Sequence, residues 1–133
     1  MYVYSKIFGS KISFNEMKPI LINFKEKFRN TFIKKDMSTH GSICFNLKKE
    51  VQITWVLLDD IQTLGECYLY IEYGRKNSQL YKTNFSKFKE YLLTREDGLY
   101  PPMYAFNMSM TLCICYNSED PLSRPIKVYR YKI

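Results

Sequence analysis

Apolar residues recur along the chain at two spacings, and the change from one to the other marks out the predicted elements. Residues Tyr2–Phe8 alternate, with Val3, Ser5 and Ile7 on one side and Tyr2, Tyr4 and Lys6 on the other. That period predicts a strand with aromatics and charge on one face. Gly9-Ser10 breaks it, Lys11–Phe14 continues as a second short strand, and Asn15 is placed to cap a helix. From Glu16 to about Lys35 the apolar residues Met17, Ile20, Leu21, Phe24, Phe28 and Phe32 fall at helical spacing. Pro19 lies in the first turn of that helix, where a missing amide donor does least damage. The opposite side carries Lys18, Lys25, Lys27, Arg29, Lys34 and Lys35, a solvated outer face in preference to a phosphate-binding one.

Asp36–Gly41 is a loop that holds the single histidine, His40, and Ile43–Leu47 alternates as a strand. Val51–Leu58 is a strong β run with the sole tryptophan, Trp55, expected in the core. Cys67–Tyr73 is the next strand, with Cys67, Leu69, Ile71 and Tyr73 inward and Tyr68, Tyr70 and Glu72 outward. Gly74 permits a change of direction into a basic strand, Arg75-Lys76, followed by a short loop. A second helix then carries Phe85, Phe88 and Leu92 and stops near Asp97-Gly98. In the tail, Phe106 to Tyr116 alternates strictly, predicting one long strand with an apolar and a polar face. Ile126–Ile133 closes the chain as a strand, with Lys127, Tyr129 and Tyr131 on one side and Val128, Arg130 and Lys132 on the other.

The stretch Gly74–Leu93 has a weaker echo in Ser10–Phe28. Ile12, Met17, Ile20 and Phe24 correspond to Leu80, Phe85, Phe88 and Leu92, each pair 68 residues apart. The echo suggests one domain over residues 1–133 with related halves around 1–47 and 51–93 and a C-terminal hairpin over 104–133.

Composition narrows the function classes. At 133 residues, 46% hydrophobic and 17% aromatic, the chain is long and apolar enough to bury a core without metal or disulfide staples. Twenty Lys/Arg against thirteen Asp/Glu leave a formal net charge of +7, which favours polyanionic partners, nucleic acid before membrane. No signal-peptide pattern or membrane-length apolar run is present, so Cys44, Cys67, Cys113 and Cys115 are expected as reduced thiols in an intracellular protein, nuclear or cytoplasmic. The abundance of Lys, Asn, Ile, Tyr and Phe suits an AT-rich genome, as of many large DNA viruses or some parasites; the viral origin would place the protein in a virus-infected host cell.

No phosphate loop, nucleophile elbow or paired-histidine metal motif occurs. Cys113-x-Cys115 lacks the spacing and second pair of a zinc site and reads as small residues on a half-exposed β face. Asp59-Asp60 and Glu96-Asp97 look like turn and cap chemistry. The chain is therefore expected to be no enzyme, with no cofactor and no metal. What remains is a surface: outward tyrosines interleaved with cations, which can stack on unpaired bases and track phosphates.

Gly74-Arg75-Lys76, then Leu80, Phe85, Ser86, Phe88, Lys89, Glu90 and Leu92, resembles the final strand and helix of the single-stranded-DNA-binding coactivator family typified by positive cofactor four. The resemblance covers about residues 51–93. It implies a curved antiparallel sheet on one side of the helices, a dimer gripping single-stranded DNA, backbone contacts from Arg75 and Lys76, and packing anchors at Phe85, Phe88 and Leu92. The turn after Tyr73 is far shorter than the family's hairpin, and two further strands lie beyond the helix.

Together these readings predict an α+β fold: a curved antiparallel sheet of about six to eight strands, two α-helices packed on one side, and a pseudo-two-fold arrangement. The expected function is binding of single-stranded DNA or RNA, as in viral replication or transcription. The expected site is a basic, tyrosine-bearing sheet face formed by Lys6, Tyr68, Tyr70, Arg75, Lys76, Lys127, Tyr129, Arg130 and Tyr131. The alternative is a protein-interaction module, a viral assembly or host-targeting factor, whose exposed tyrosines anchor a protein partner or a second copy.

Overall fold

The computed structural model describes residues 4–28, 54–62, 65–71, 79–94, 103–116 and 127–132. Among them six strands form one antiparallel sheet in the order β1-β6-β5-β4-β2-β3. The strands are β1 (Thr54–Leu57), β2 (Glu66–Ile71), β3 (Gln79–Asn84), β4 (Met103–Asn107), β5 (Leu112–Tyr116) and β6 (Lys127–Lys132). Three α-helices accompany them among the described residues: α1 (Ser5–Phe8), α2 (Phe14–Lys27) and α3 (Phe85–Thr94). The class is α+β, as expected. The four strands β3-β2-β4-β5 carry its packed centre, where nearly every side chain is buried or half-buried.

The first element departs from expectation. Alternation predicts a strand over Tyr2–Phe8, but Ser5–Phe8 is one turn of helix, in which the Phe8 amide donates to the Tyr4 carbonyl at 2.8 Å. Tyr4 and Phe8 are four residues apart, and one helical turn stacks their rings 6.2 Å apart on the buried side. A pattern this short satisfies both periods, and the packing partner decides between them. Gly9 then takes φ +97°, a conformation that side chains disfavour, and turns the chain into an extended strap. The expected strand at Lys11–Phe14 reduces to a single bridge, Lys11 to Tyr81, with the Ile12 amide donating to the Leu80 carbonyl at 2.8 Å.

Helix α2 begins earlier than its capping residue was expected. Ser13, not Asn15, is the N-cap, and its hydroxyl accepts from the Glu16 amide at 3.4 Å. The earlier start places Pro19 inside the helix instead of in its first turn. The apolar stripe holds: Met17, Ile20, Leu21, Phe24 and Phe28 all face the sheet. Beyond Phe28 the expected continuation to Lys35 lies outside the described residues, as do His40 and the strand at Ile43–Leu47.

The second strand–helix unit has no loop. β3 runs straight into α3, and the Phe85 amide donates to the Gly65 carbonyl at 2.9 Å, one step beyond the Glu66–Asn84 pair that ends the β2–β3 ladder. The sheet's edge thereby satisfies the first donor of the helix. The basic strand expected at Gly74–Lys76 lies outside the described residues, and the strand that reaches the helix is Gln79–Asn84.

The expected long strand from Phe106 to Tyr116 is a hairpin. Asn107 ends β4 by folding its side chain over the turn: Oδ1 accepts from the amides of Thr111 and Leu112 at 2.9 and 3.0 Å. Met110, at φ +55°, completes the reversal. The alternation persists on either side, but the turn changes its meaning. Phe106 belongs to one face of the sheet, and Leu112, Ile114 and Tyr116 belong to the other.

Those two faces are both buried, and this corrects the expected layering. Phe85, Phe88 and Leu92 of α3, with Phe8 of α1 and Tyr4 just before it, close over Cys67, Leu69, Ile71, Met103, Ala105 and Ile114. Phe24 and Phe28 of α2 close over Tyr70, Leu80, Tyr104, Phe106, Cys113 and Cys115. The helices therefore lie on opposite sides of the sheet and not on one. A two-fold axis that exchanges antiparallel neighbours stands perpendicular to the sheet and would keep both helices on the same side. Ile12 and Leu80, equivalent positions in the echo, are in direct backbone contact.

Candidate interaction surface

Burial on both sides covers the β2 part of the face on which single strands were expected to lie. Tyr70, expected outward, is 2% exposed beneath α2 and stacks on Tyr104 with ring centroids 5.8 Å apart. Tyr68 is half-buried, 5.3 Å from Phe106. Among the tyrosines whose side chains are described, none is exposed. Strand alternation told which side of β2 each ring occupies; it could not tell that a helix covers that side.

The expected cations do not gather beside the tyrosines either. Lys6 is exposed on α1, which packs on α3 and β3, across the sheet from Tyr68 and Tyr70. Arg130 is exposed and pairs in register with Ile114, a residue of the α3 side. Tyr129 and Tyr131 pair with Cys115 and Cys113, register positions on the α2 side. The side chains of Lys127, Tyr129 and Tyr131, and Arg75 and Lys76 altogether, lie outside the described residues. Of the nine expected site residues, the described ones divide between two surfaces.

The thiols are core groups. Burial, with the Glu66 charge next to it, pushes Cys67 up to about 12, and burial raises Cys113 well above an ordinary thiol. Both stay protonated at neutral pH and lack thiolate character. Cys113 and Cys115 lie under α2 and not on a half-exposed face. Among the described residues no group of three or more His, Cys, Asp or Glu side chains is placed to hold a metal ion. No helix among them is long and apolar enough to cross a membrane.

What the fold does expose is the far side of α2. Its inner stripe is spent on the sheet, where Phe24 stacks on Phe106 at 4.1 Å. Residues four apart form a second row, Phe14, Lys18, Ile22 and Glu26, which starts beside the inner stripe at Phe14, two turns before Leu21, and winds away from it toward Ile22 and Glu26. Phe14 is 71% exposed and Ile22 57%, the two largest exposures of any big apolar side chain among the described residues. An isolated apolar residue in water needs no explanation. Phe14 and Ile22 stand about 12 Å apart along this row, with the exposed Lys18 between them and Glu26 beyond, two exposed apolar side chains bordered by charge. Sequence reading missed it because the helix was divided into apolar and basic sides, and Phe14 was assigned to a strand.

No protein-family model, curated protein or solved structure matches this chain.

Proposed function

We propose that the chain works by binding and not by chemistry, and that its partner is a protein taken up on the outer face of α2. The supporting observation is the exposed pair Phe14 and Ile22 on one four-residue stripe. Covering a phenylalanine and an isoleucine removes apolar surface from water at about 25 cal/mol per Å², a drive the free protein leaves unused. Large rigid rings such as Phe14 are also the groups that concentrate binding energy at interfaces. An intracellular setting fits the free thiols Cys67, Cys113 and Cys115.

Site-specific photo-cross-linking tests this reading. A benzophenone side chain in place of Phe14, in the cells that make the protein, should yield adducts of discrete mass. The same group at Lys87 on α3 should yield none. Adducts of equal yield at both positions, or none at position 14, would sink the proposal.

Charge favours a second reading, capture of single-stranded nucleic acid. Lys6, Lys11, Lys18, Lys27, Lys87 and Arg130 are exposed and make no ion pair with another described residue, and the chain carries +7 overall. With Tyr70 buried, such capture would be electrostatic, with few stacked bases and a steep salt dependence. The resemblance of the Gly74–Leu92 stretch adds Arg75 and Lys76 as phosphate contacts. Replacing both with Ala should weaken oligonucleotide binding and leave the thermal midpoint within a degree or two. Absence of binding at low ionic strength removes this second reading.

A further inference from the structure

The outer stripe of α2 has a symmetry that selects its occupant. Ile22 lies at the middle, Lys18 four residues before it and Glu26 four residues after, all three exposed. Each charge stands about 6 Å along the helix axis from Ile22. When two such helices cross antiparallel with a two-fold axis at Ile22, residue 18 of one meets residue 26 of the other. Both meetings bring a cation to an anion, and the two isoleucines meet at the centre.

We propose that the partner on this face is a second copy of this chain, joined α2 to α2 about a two-fold axis at Ile22. The inference rests on the reading of the α2 face as a docking surface and names what docks there. An isologous contact of this kind is self-complementary by construction, the commonest way for a chain to pair with itself. Its two Lys18–Glu26 contacts fix the antiparallel direction, because a parallel crossing would set Lys18 against Lys18 and Glu26 against Glu26. One helix against another buries less than the ~1,200 Å² of a standard interface, so the association is weak and depends on concentration.

Sedimentation velocity over a concentration series tests this directly, with charge reversal as the diagnostic. The wild-type weight-average mass should rise toward twice that of the monomer. Ile22→Asp should hold it at the monomer value. Lys18→Glu and Glu26→Lys should each weaken association several-fold, and the double reversal should restore it. Non-specific repulsion predicts otherwise. Lys18→Glu changes the net charge by two, from +7 to +5, and would then strengthen association, whereas Glu26→Lys would weaken it. That divergent result overturns the proposal, and so does a double reversal no better than the single changes.

A wild-type chain that stays monomeric across the series also overturns it. The thermal midpoint of Ile22→Asp then decides how far the failure reaches. An unchanged midpoint leaves the face open to another protein. A fall of many degrees shows that Ile22 belongs to the core and removes the docking reading as well.

Discussion

On the α3 side of the sheet, Phe85, Phe88 and Leu92 are all fully buried, and α1 with Tyr4 just before it closes over them with two further rings, Phe8 lying 5.5 Å from Tyr91 and Tyr4 6.1 Å from it. On the α2 side one helix covers Tyr70, Leu80, Tyr104 and Phe106, and no second helix among the described residues lies beside it. Among the described residues the first layer is closed by two helices and the second by one. That one helix also leaves Phe14 and Ile22 in water. The comparison suggests a division of labour: one face of the sheet is used up in holding the fold, and the layer on the other is free to meet something else.

The largest test is whether both faces are truly core. Phe88→Ala and Phe24→Ala each remove a fully buried ring and should each cost about 3–5 kcal/mol in urea unfolding. A cost under about 1 kcal/mol for Phe24→Ala alone would break the comparison, leaving α2 a loosely attached arm.

The thiols probe the same two faces. Cys67 lies on the α3 side and Cys113 on the α2 side, and both are fully buried. Native protein treated with iodoacetamide should leave both unlabelled in a peptide map, and both should react once the chain is unfolded. Labelling of Cys113 but not Cys67 would show that α2 opens before α3 does. The pH dependence has a definite sign. An unfolded chain loses its thiol proton near pH 9, whereas native Cys67 keeps its proton up to about 12. The native state therefore binds more protons between those values, and stability falls as pH rises through that window. Below it, this thiol contributes no pH dependence. Cys67→Ala should flatten the alkaline limb of a melting profile.

Smaller effects mark the outer surface. Phe14→Ser and Ile22→Ser should each move unfolding free energy by no more than about 0.5 kcal/mol, because neither ring nor chain is packed in the single molecule. Smaller still is the exposed ion pair of Lys82 with Glu66, at 3.5 Å across β2 and β3. Glu66→Gln should change stability by a few tenths of a kcal/mol and lose even that in high salt.

Much of the fold was present in local patterns. Met17, Ile20, Leu21, Phe24 and Phe28 marked the inner side of α2, Phe85, Phe88 and Leu92 that of α3, and Cys67, Leu69 and Ile71 one side of β2. These groupings come from the period of the element alone. The candidate site fared differently. Lys6 was placed on a strand because Tyr2–Phe8 is too short for its period to be unique. Tyr70 was placed on the surface because alternation distinguishes two sides of a strand without saying which is covered.

The sequence by itself therefore determined which residues share a stripe, since that depends only on the geometry of the chain between near neighbours. The tertiary structure decided what each stripe faces. Whether α2 and α3 share a side of the sheet depends on how the strap at Gly9–Ile12 and the β3–α3 junction carry the chain around its edge. That choice is set by packing between residues distant in sequence, and no local period encodes it. It put Tyr70, expected on an open face, into the core, and it left Phe14 and Ile22 of α2 exposed.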